Sequence, residues 1–467
     1  MLHPSLRIQN KLEVVGIALF QIIFLLYIYL GNPIASPILI LLFPASLGIG
    51  LIMAKKFEWA VLLLLLSSLL FLENPEGLNI SELIYFGFSL ILFALTFGSD
   101  LLRGKLALNS TYDILLFLLV LLLPVGVFLG ILNGASTKAA ITEITYFLGL
   151  LGYFAYRKYF EKLWFRKALL AVGIVVLLFV AIRNIIHYQE ILLAATVQWQ
   201  AEKARSAANE ILLLTGCIGS ISYIIYAKSM IKRSAGVLIF IIFLGDLIIT
   251  QSRGYWLAFF IATLAIWSIG SRLVKKQIVL YLTLFLITTI SLGYFYFNDL
   301  FFLVFNALGE RFSTVTNLAS GKVGASLKER VLESQTILER IFHNPVMGYG
   351  FGVTYPRYYY LEQAYKIFYY VHNGYLSIWY KLGLAGFVIM ISYSFLVLKD
   401  SYTIYKQHIN INVKRIALTI FGVMAGILVV NNTSPQYMTF DSLLLMGLMG
   451  LFCSYYKSDL NQSPDNA

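Results

Sequence analysis

The sequence predicts an all-α protein that crosses a membrane repeatedly, with about 12–14 transmembrane helices and one large loop on the external side before the twelfth. Three observations predict it. Hydrophobic residues make up 59% of the chain and charged residues 12%, a balance at which a soluble domain would precipitate. Apolar runs of membrane-spanning length recur along the chain, the scale being ~30 Å of hydrocarbon. Lys and Arg gather between alternate runs, as they do on the cytoplasmic side of membrane proteins.

In chain order the expected spans are Leu12 to Leu30, Ile34 to Met53, Trp59 to Leu72, Leu83 to Phe97, Asp113 to Leu132, Ala139 to Tyr156 and Ala168 to Ile186. They continue with Ile211 to Ala227, Ala235 to Thr250, Tyr255 to Gly270, Ile278 to Phe297, Gly374 to Leu398, Ile416 to Val430 and Ser442 to Tyr456. The third and tenth are short. With the N-terminus inside, most of the 35 Lys and Arg fall on the cytoplasmic side, including the run Arg157, Lys158, Lys162, Arg166 and Lys167. The turns at Gly31 to Pro33, Glu73 to Gly77 and Asn431 to Phe440 carry none. Both termini are therefore expected in the cytoplasm.

The net charge of +12 is then mostly topology. A nucleic-acid partner is not expected, because that needs a basic face on a soluble element. Cys217 and Cys453 both fall inside spans, so neither a disulfide framework nor a metal cluster is indicated, and no cofactor is expected. The first apolar run is too long for the core of a signal peptide and reads as a retained span.

Two sizeable external segments remain. Ile185 to Asn209 mixes apolar residues and Trp199 with Lys203 and Arg205, and reads as an amphipathic surface helix. In the second, Asn298 to His372, Ser326-Leu-Lys-Glu329 has capping-box form. Leu327, Val331, Leu338 and Ile341 then recur at helical spacing until Asn344-Pro345 ends the helix. The glycines of Gly348-Tyr-Gly-Phe-Gly352 permit a tight backbone path near a ligand. They follow no strand, so they are not a dinucleotide fingerprint. The tyrosines from Tyr355 to Tyr370 suit either an interfacial belt or a platform for sugar rings.

His372 stands where this loop meets the next span. An imidazole there either caps the helix and faces interfacial water, or trades protons with a hydroxyl nucleophile. Arg253, in Gln251-Ser-Arg-Gly-Tyr-Trp256, lies at the external end of its span, where its guanidinium suits phosphate. Its other reading is a snorkelling residue or an ion pair with Asp246, seven positions earlier. Arg330 sits between Glu329 and Glu333, where a surface ion pair is the ordinary role, and Arg311, in Gly309-Glu-Arg-Phe312, reads either way. Lys322, Lys328, Arg340, Arg357 and Lys366 extend an external cationic field that would attract a pyrophosphate. The loop holds no acidic pair of DxD type for a divalent metal, so Arg and Lys would neutralise phosphate charge themselves.

Gln251-Ser-Arg-Gly-Tyr-Trp-Leu257, Arg330 with the following Asn344-Pro-Val-Met-Gly-Tyr-Gly350, His372-Asn-Gly-Tyr-Leu376 and Leu382-Gly-Leu-Ala-Gly386 resemble, in order and separation, the signatures of the O-antigen ligase and O-antigen polymerase superfamily. The resemblance covers about residues 205 to 400, and divides the chain into an N-terminal transmembrane bundle (1–204), a ligase-like region (205–400, with its external loop at 298–373) and C-terminal helices with a cytoplasmic tail (401–467). It implies a metal-independent, inverting glycosyltransferase of GT-C type in the bacterial cytoplasmic membrane, with its active face external. The implied donor is a glycan on undecaprenyl diphosphate; the acceptor is a hydroxyl on a glycan, a lipid or a protein. Carried over, His372 orients or deprotonates the acceptor, while Arg253, Arg330, Arg311 and Asn373 are the substrate-binding candidates. The competing reading is a transporter of a small anion or of a lipid-linked oligosaccharide, which would place ionisable groups at mid-membrane. Here Asp246 is the clearest such group, and the others cluster at the outer surface.

Overall fold

The computed structural model describes residues 56–71, 80–102, 108–194, 208–281, 283, 287, 325–359 and 363–462. The expected spans Leu12 to Leu30 and Ile34 to Met53, most of Ile278 to Phe297, and the residues Trp199, Lys203, Arg205, Arg311 and Lys322 lie outside them.

The regular elements among the described residues are helices and one hairpin. The helices are α1 (Phe57–Ser67), α2 (Ile80–Phe93), α3 (Thr111–Leu132), α4 (Thr137–Thr145), α5 (Leu148–Phe160), α6 (Leu163–Ala194), α7 (Glu210–Tyr226), α8 (Met230–Ile249), α9 (Arg253–Ile269), α10 (Ala325–His343), α11 (Gly374–Gln407), α12 (Ile411–Val430) and α13 (Phe440–Gln462). Strands β1 (Tyr355–Tyr359) and β2 (Ala364–Phe368) pair antiparallel, with Arg357 opposite Lys366. Among the described residues α3, α6, α11 and α12 are long and apolar enough to cross a membrane, and α1, α7 and α9 are shorter apolar helices.

The chain divides into two compact units: Met1–Leu106 with Leu151–Val176, and Ala107–Leu150 with Leu177–Ala467. In the first, Ala60 to Leu66 are buried on every side of α1, which is why that stretch shows no polar face. Phe97 and Phe154 pack at 4.8 Å there, and Lys158 pairs with Asp100 at 3.3 Å.

The second unit carries the candidate site. Its helices approach closely through small residues, as membrane helices do in the absence of a hydrophobic drive between them. Gly216 on α7 meets Phe243 on α8, and Gly422 and Gly426 on α12 meet Ile266 and Ala258 on α9. Caps define several helix starts. Ser110 and Asp113 form a reciprocal capping box on α3, and Asn373 Oδ1 accepts from the backbone N–H groups of Tyr375 and Leu376 to start α11.

Four expectations change. The run Ala139 to Tyr156 is not one straight span: α4 and α5 are bent by 41° across a short break. Residues Ile185 to Ala194 continue α6 instead of starting a separate surface helix. At 32 residues α6 is ~48 Å long, so part of it must project past ~30 Å of hydrocarbon. The loop helix α10 begins at Ala325, ahead of the expected box at Ser326. Last, α11 is broken at Gly383 (φ 65, ψ −168), which separates a short N-terminal helix from the segment that continues to Gln407.

Candidate functional site

The starts of α7, α9, α11 and α13 and the end of α12 meet at one end of the second unit. Gly374 N donates to Asn431 O at 2.7 Å, and Gly254 lies against Thr433. Asn209 Nδ2 reaches Asp441 Oδ2 at 3.4 Å, while Arg183 donates to Asn209 Oδ1 at 2.9 Å. The hydroxyls of Tyr255 and Tyr370 both lie against that of Ser434. The ring of Tyr370 is partly exposed, but its hydroxyl end turns inward.

Above these ends sits the small layer formed by α10 and the hairpin. Its core is Ile337, Ile341, Val353, Tyr355, Val371 and Tyr380. One face of α10 presents Glu333, Ile337 and Ile341 to that core, at a spacing of four residues. The apolar stripe expected from sequence included Val331, which is exposed; the buried face runs through Glu333. An acid at a core position of an otherwise regular amphipathic pattern is the signal that would have found it.

Glu333 is 1% exposed and surrounded by donors. Arg357 Nη1 donates to its Oε1 at 3.1 Å, and the Tyr355 hydroxyl hydrogen-bonds the same oxygen. Its Oε2 accepts from the backbone N of His372 at 3.2 Å and meets His372 Nδ1 at 2.9 Å. Burial alone would raise this carboxyl. The hydrogen bonds from the His372 side chain, the Tyr355 hydroxyl and the His372 backbone outweigh burial and hold it below the usual carboxylate range. Burial and then the Glu333 charge push the Tyr355 phenol up, so it stays a donor.

His372 is 28% exposed, so one edge of the ring is held and another is open. Its Nδ1 has two neighbours, Glu333 Oε2 at 2.9 Å and Arg357 Nη1 at 3.3 Å. The shorter contact is to a carboxylate, which only accepts, so the proton is placed on Nδ1 and the lone pair on Nε2. Tyr370 packs edge-on against the imidazole at 5.2 Å. Arg357 is 8% exposed and stacks over Phe368 at 3.9 Å, so it serves this interior and not a surface field.

Arg253 is the first residue of α9, two positions before the expected span, and lies within electrostatic reach of Arg330 on α10. Burial first, and the Arg330 charge second, hold its pKa below the ordinary arginine value. Arg330 also acts on Tyr370, which ties both arginines to the neighbourhood of His372. Asp246 faces Asn184, Arg183 and Glu210.

Of the sequence candidates, the structure therefore gathers His372, Arg253 and Arg330 at one end of the unit. Asn373 stands beside them with its carbonyl oxygen used as a helix cap, and Arg311 is outside the described residues. Arg340 is directed away, to Thr354 O and the Tyr380 hydroxyl, each at 3.0 Å. The tyrosine run separates into buried Tyr355 and outward Tyr365 and Tyr369. Among the described residues no group of His, Cys, Asp and Glu could hold a metal ion.

Residues 238–391 match the family model described as O-antigen ligase. That match, over residues 238–391, supports an assignment to the O-antigen ligase and polymerase superfamily. The matched region contains Arg253, Arg330, Glu333, Arg357 and His372. No curated protein matches the chain.

Proposed function

We propose that this protein is a multi-pass glycosyltransferase of the bacterial cytoplasmic membrane. It moves a glycan from undecaprenyl diphosphate onto a hydroxyl acceptor at the external face, by inversion and without a metal. The observation that carries the reading is the partly exposed His372 imidazole, held through Nδ1 by buried Glu333, at the same helix ends as Arg253 and Arg330.

In this reading Nε2 accepts the acceptor's hydroxyl proton as its oxygen attacks the anomeric carbon. The bond from that carbon to the diphosphate oxygen breaks, and the polyprenyl diphosphate leaves with the negative charge. Arg253 and Arg330, each within electrostatic reach of the other, stabilise that charge as it develops. Glu333 holds the imidazole in the productive tautomer and stabilises the imidazolium once formed. Whether the acceptor is a lipid core, a protein hydroxyl or another lipid-linked repeat decides between ligase and polymerase.

The test is a transfer assay with purified protein in lipid nanodiscs, a polyprenyl-diphosphate oligosaccharide as donor and a panel of the three acceptor types. Product formed with one acceptor class and lost in His372→Ala is the expected result. Donor passing intact across a proteoliposome membrane, with no new glycosidic bond, would replace this reading with the carrier.

A further inference from the structure

We infer that residues 344–352 are a re-entrant segment seated within one leaflet of the membrane, with Phe342, Val346 and Met347 against acyl chains. The first argument is depth. At the far end of the unit the Tyr112 hydroxyl donates to Asp400 Oδ2 at 3.1 Å, which fixes α3 and α11 at a common polar level that also holds Lys457, 3.8 Å from Asp400. Gly126 and Gly130 stand roughly 21 and 27 Å along α3 from that level, at ~1.5 Å per residue. Phe351 N donates to Gly126 O at 2.9 Å, and the Phe351 carbonyl occupies the space where a Cβ on Gly130 would stand. On α11, Leu384 is roughly 24 Å from Asp400 by the same rise, and its N–H donates to Pro345 O at 3.0 Å. Both routes place the segment within ~30 Å of hydrocarbon measured from the polar level, and helix tilt only shortens them.

The second argument is hydrogen bonding. Irregular backbone survives at membrane depth only where protein satisfies its polar groups. The N–H groups of Gly348, Tyr349, Gly350 and Phe351 donate to the carbonyls of Asn344 (3.3 Å), Tyr380 (2.8 Å), Lys381 (2.9 Å) and Gly126 (2.9 Å). Gly352 N donates to Glu143 Oε2 at 2.6 Å. The carbonyls of Pro345, Gly348 and Tyr349 accept from Trp379 Nε1 (2.8 Å), Asn344 Nδ2 (2.6 Å) and Asn133 Nδ2 (3.0 Å). Gly348, Gly350 and Gly352 all have positive φ, and a Cβ on any of them would strike neighbouring backbone. These glycines pack the segment against helices, not around a ligand.

The third argument is the outward surface. Phe342, Val346 and Met347 are 72%, 62% and 52% exposed. Val346 adjoins Gly383, and the surface continues onto the exposed Leu384 and Val388 of α11, a helix apolar enough to cross the membrane. A face continuous with a membrane-spanning helix is covered by what covers that helix, namely lipid. The segment begins where α10 ends, so its seating would set the height of Arg330 and Glu333 above the hydrocarbon.

Met347→Cys carrying an environment-sensitive NBD fluorophore, in full-length protein in phosphatidylcholine nanodiscs, tests this. Cys217 and Cys453 are buried and do not compete for label. The label should emit in the blue-shifted range of an apolar site and be quenched several-fold more by doxyl-acyl lipids than by aqueous iodide. A label at Tyr365→Cys on the exposed hairpin should show the reverse. Val346→Cys repeats the measurement should Met347→Cys not assemble. Iodide quenching equal to that of the hairpin label would overturn the inference, and shielding from both quenchers would overturn it in favour of a protein contact.

Discussion

Glu143 on α4 and Lys381 on α11, 238 residues apart in sequence, form an ion pair at 3.0 Å with both side chains closed to solvent. The pair also grips the chain between the loop helix and the hairpin. Glu143 accepts from Gly352 N at 2.6 Å, and Lys381 donates to Val353 O at 3.1 Å. Its contribution is to fix the path that leads into β1, and so the position of Tyr355 and Arg357 around Glu333.

Removing one partner leaves a buried charge alone. Glu143→Ala should therefore destabilise the second unit by about 3–5 kcal/mol, seen as a lower midpoint of thermal unfolding in detergent. Glu143→Leu with Lys381→Met, which removes both charges, should recover much of that loss. A double variant as unstable as the single one would show that the Gly352 and Val353 contacts, and not the charges, matter most.

His372 and Glu333 make a second pair with a kinetic signature. His372→Ala should reduce transfer by the ~10²- to 10⁴-fold typical of a lost general base, with donor binding largely kept. Glu333→Gln should also reduce turnover, since its amide can present an N–H to Nδ1 and select the wrong tautomer. Near-normal turnover in His372→Ala would remove it as the base. Normal turnover in Glu333→Gln alone would leave the base intact and remove the positioning role.

Arg253 and Arg330 should report on the donor instead. Arg253→Ala should weaken donor binding about 10- to 100-fold, the size of one lost charge-assisted contact. Arg253→Lys should recover only part of it, because an ammonium keeps the charge without the fork. Equilibrium binding of a polyprenyl diphosphate, with membrane levels of each variant checked first, makes the measurement. Unchanged affinity in Arg253→Ala would exclude it from the diphosphate site.

The membrane class was legible in the sequence because apolar composition is a bulk property that tertiary structure does not rewrite. His372, Arg253 and Arg330 were legible as candidates from their residue types and positions, and the fold brings them to one end of the second unit. Their supporting residues were not. In sequence Glu333 stands beside Arg330 like a surface acid, and its i+4 relation to Ile337 turns it inward. Glu143 was hidden inside a run taken as one span, which the chain bends by 41°. The hairpin was missed because its turn includes Gln363 at φ 50, with no Gly or Asn to announce it. The break at Gly383 was invisible because what stabilises it is Pro345 and Val346, 37 or more residues earlier in the chain.

The depressed Glu333 carboxyl makes the last prediction, in acid. A carboxylate whose folded pKa lies below its unfolded value of about 4.3 contributes stability that is fully present above that value. That contribution is lost as pH falls through the folded pKa, when Glu333 takes a proton and gives up its charged bonds to Arg357 and His372. The loop layer should therefore loosen below about pH 4. Unfolding midpoints followed from pH 6 down to pH 3 check it. The parent should exceed Glu333→Gln at pH 6, and the two curves should converge as the carboxyl protonates. A gap that stays constant over that range would mean that Glu333 contributes by its shape and neutral hydrogen bonds, and not by its charge.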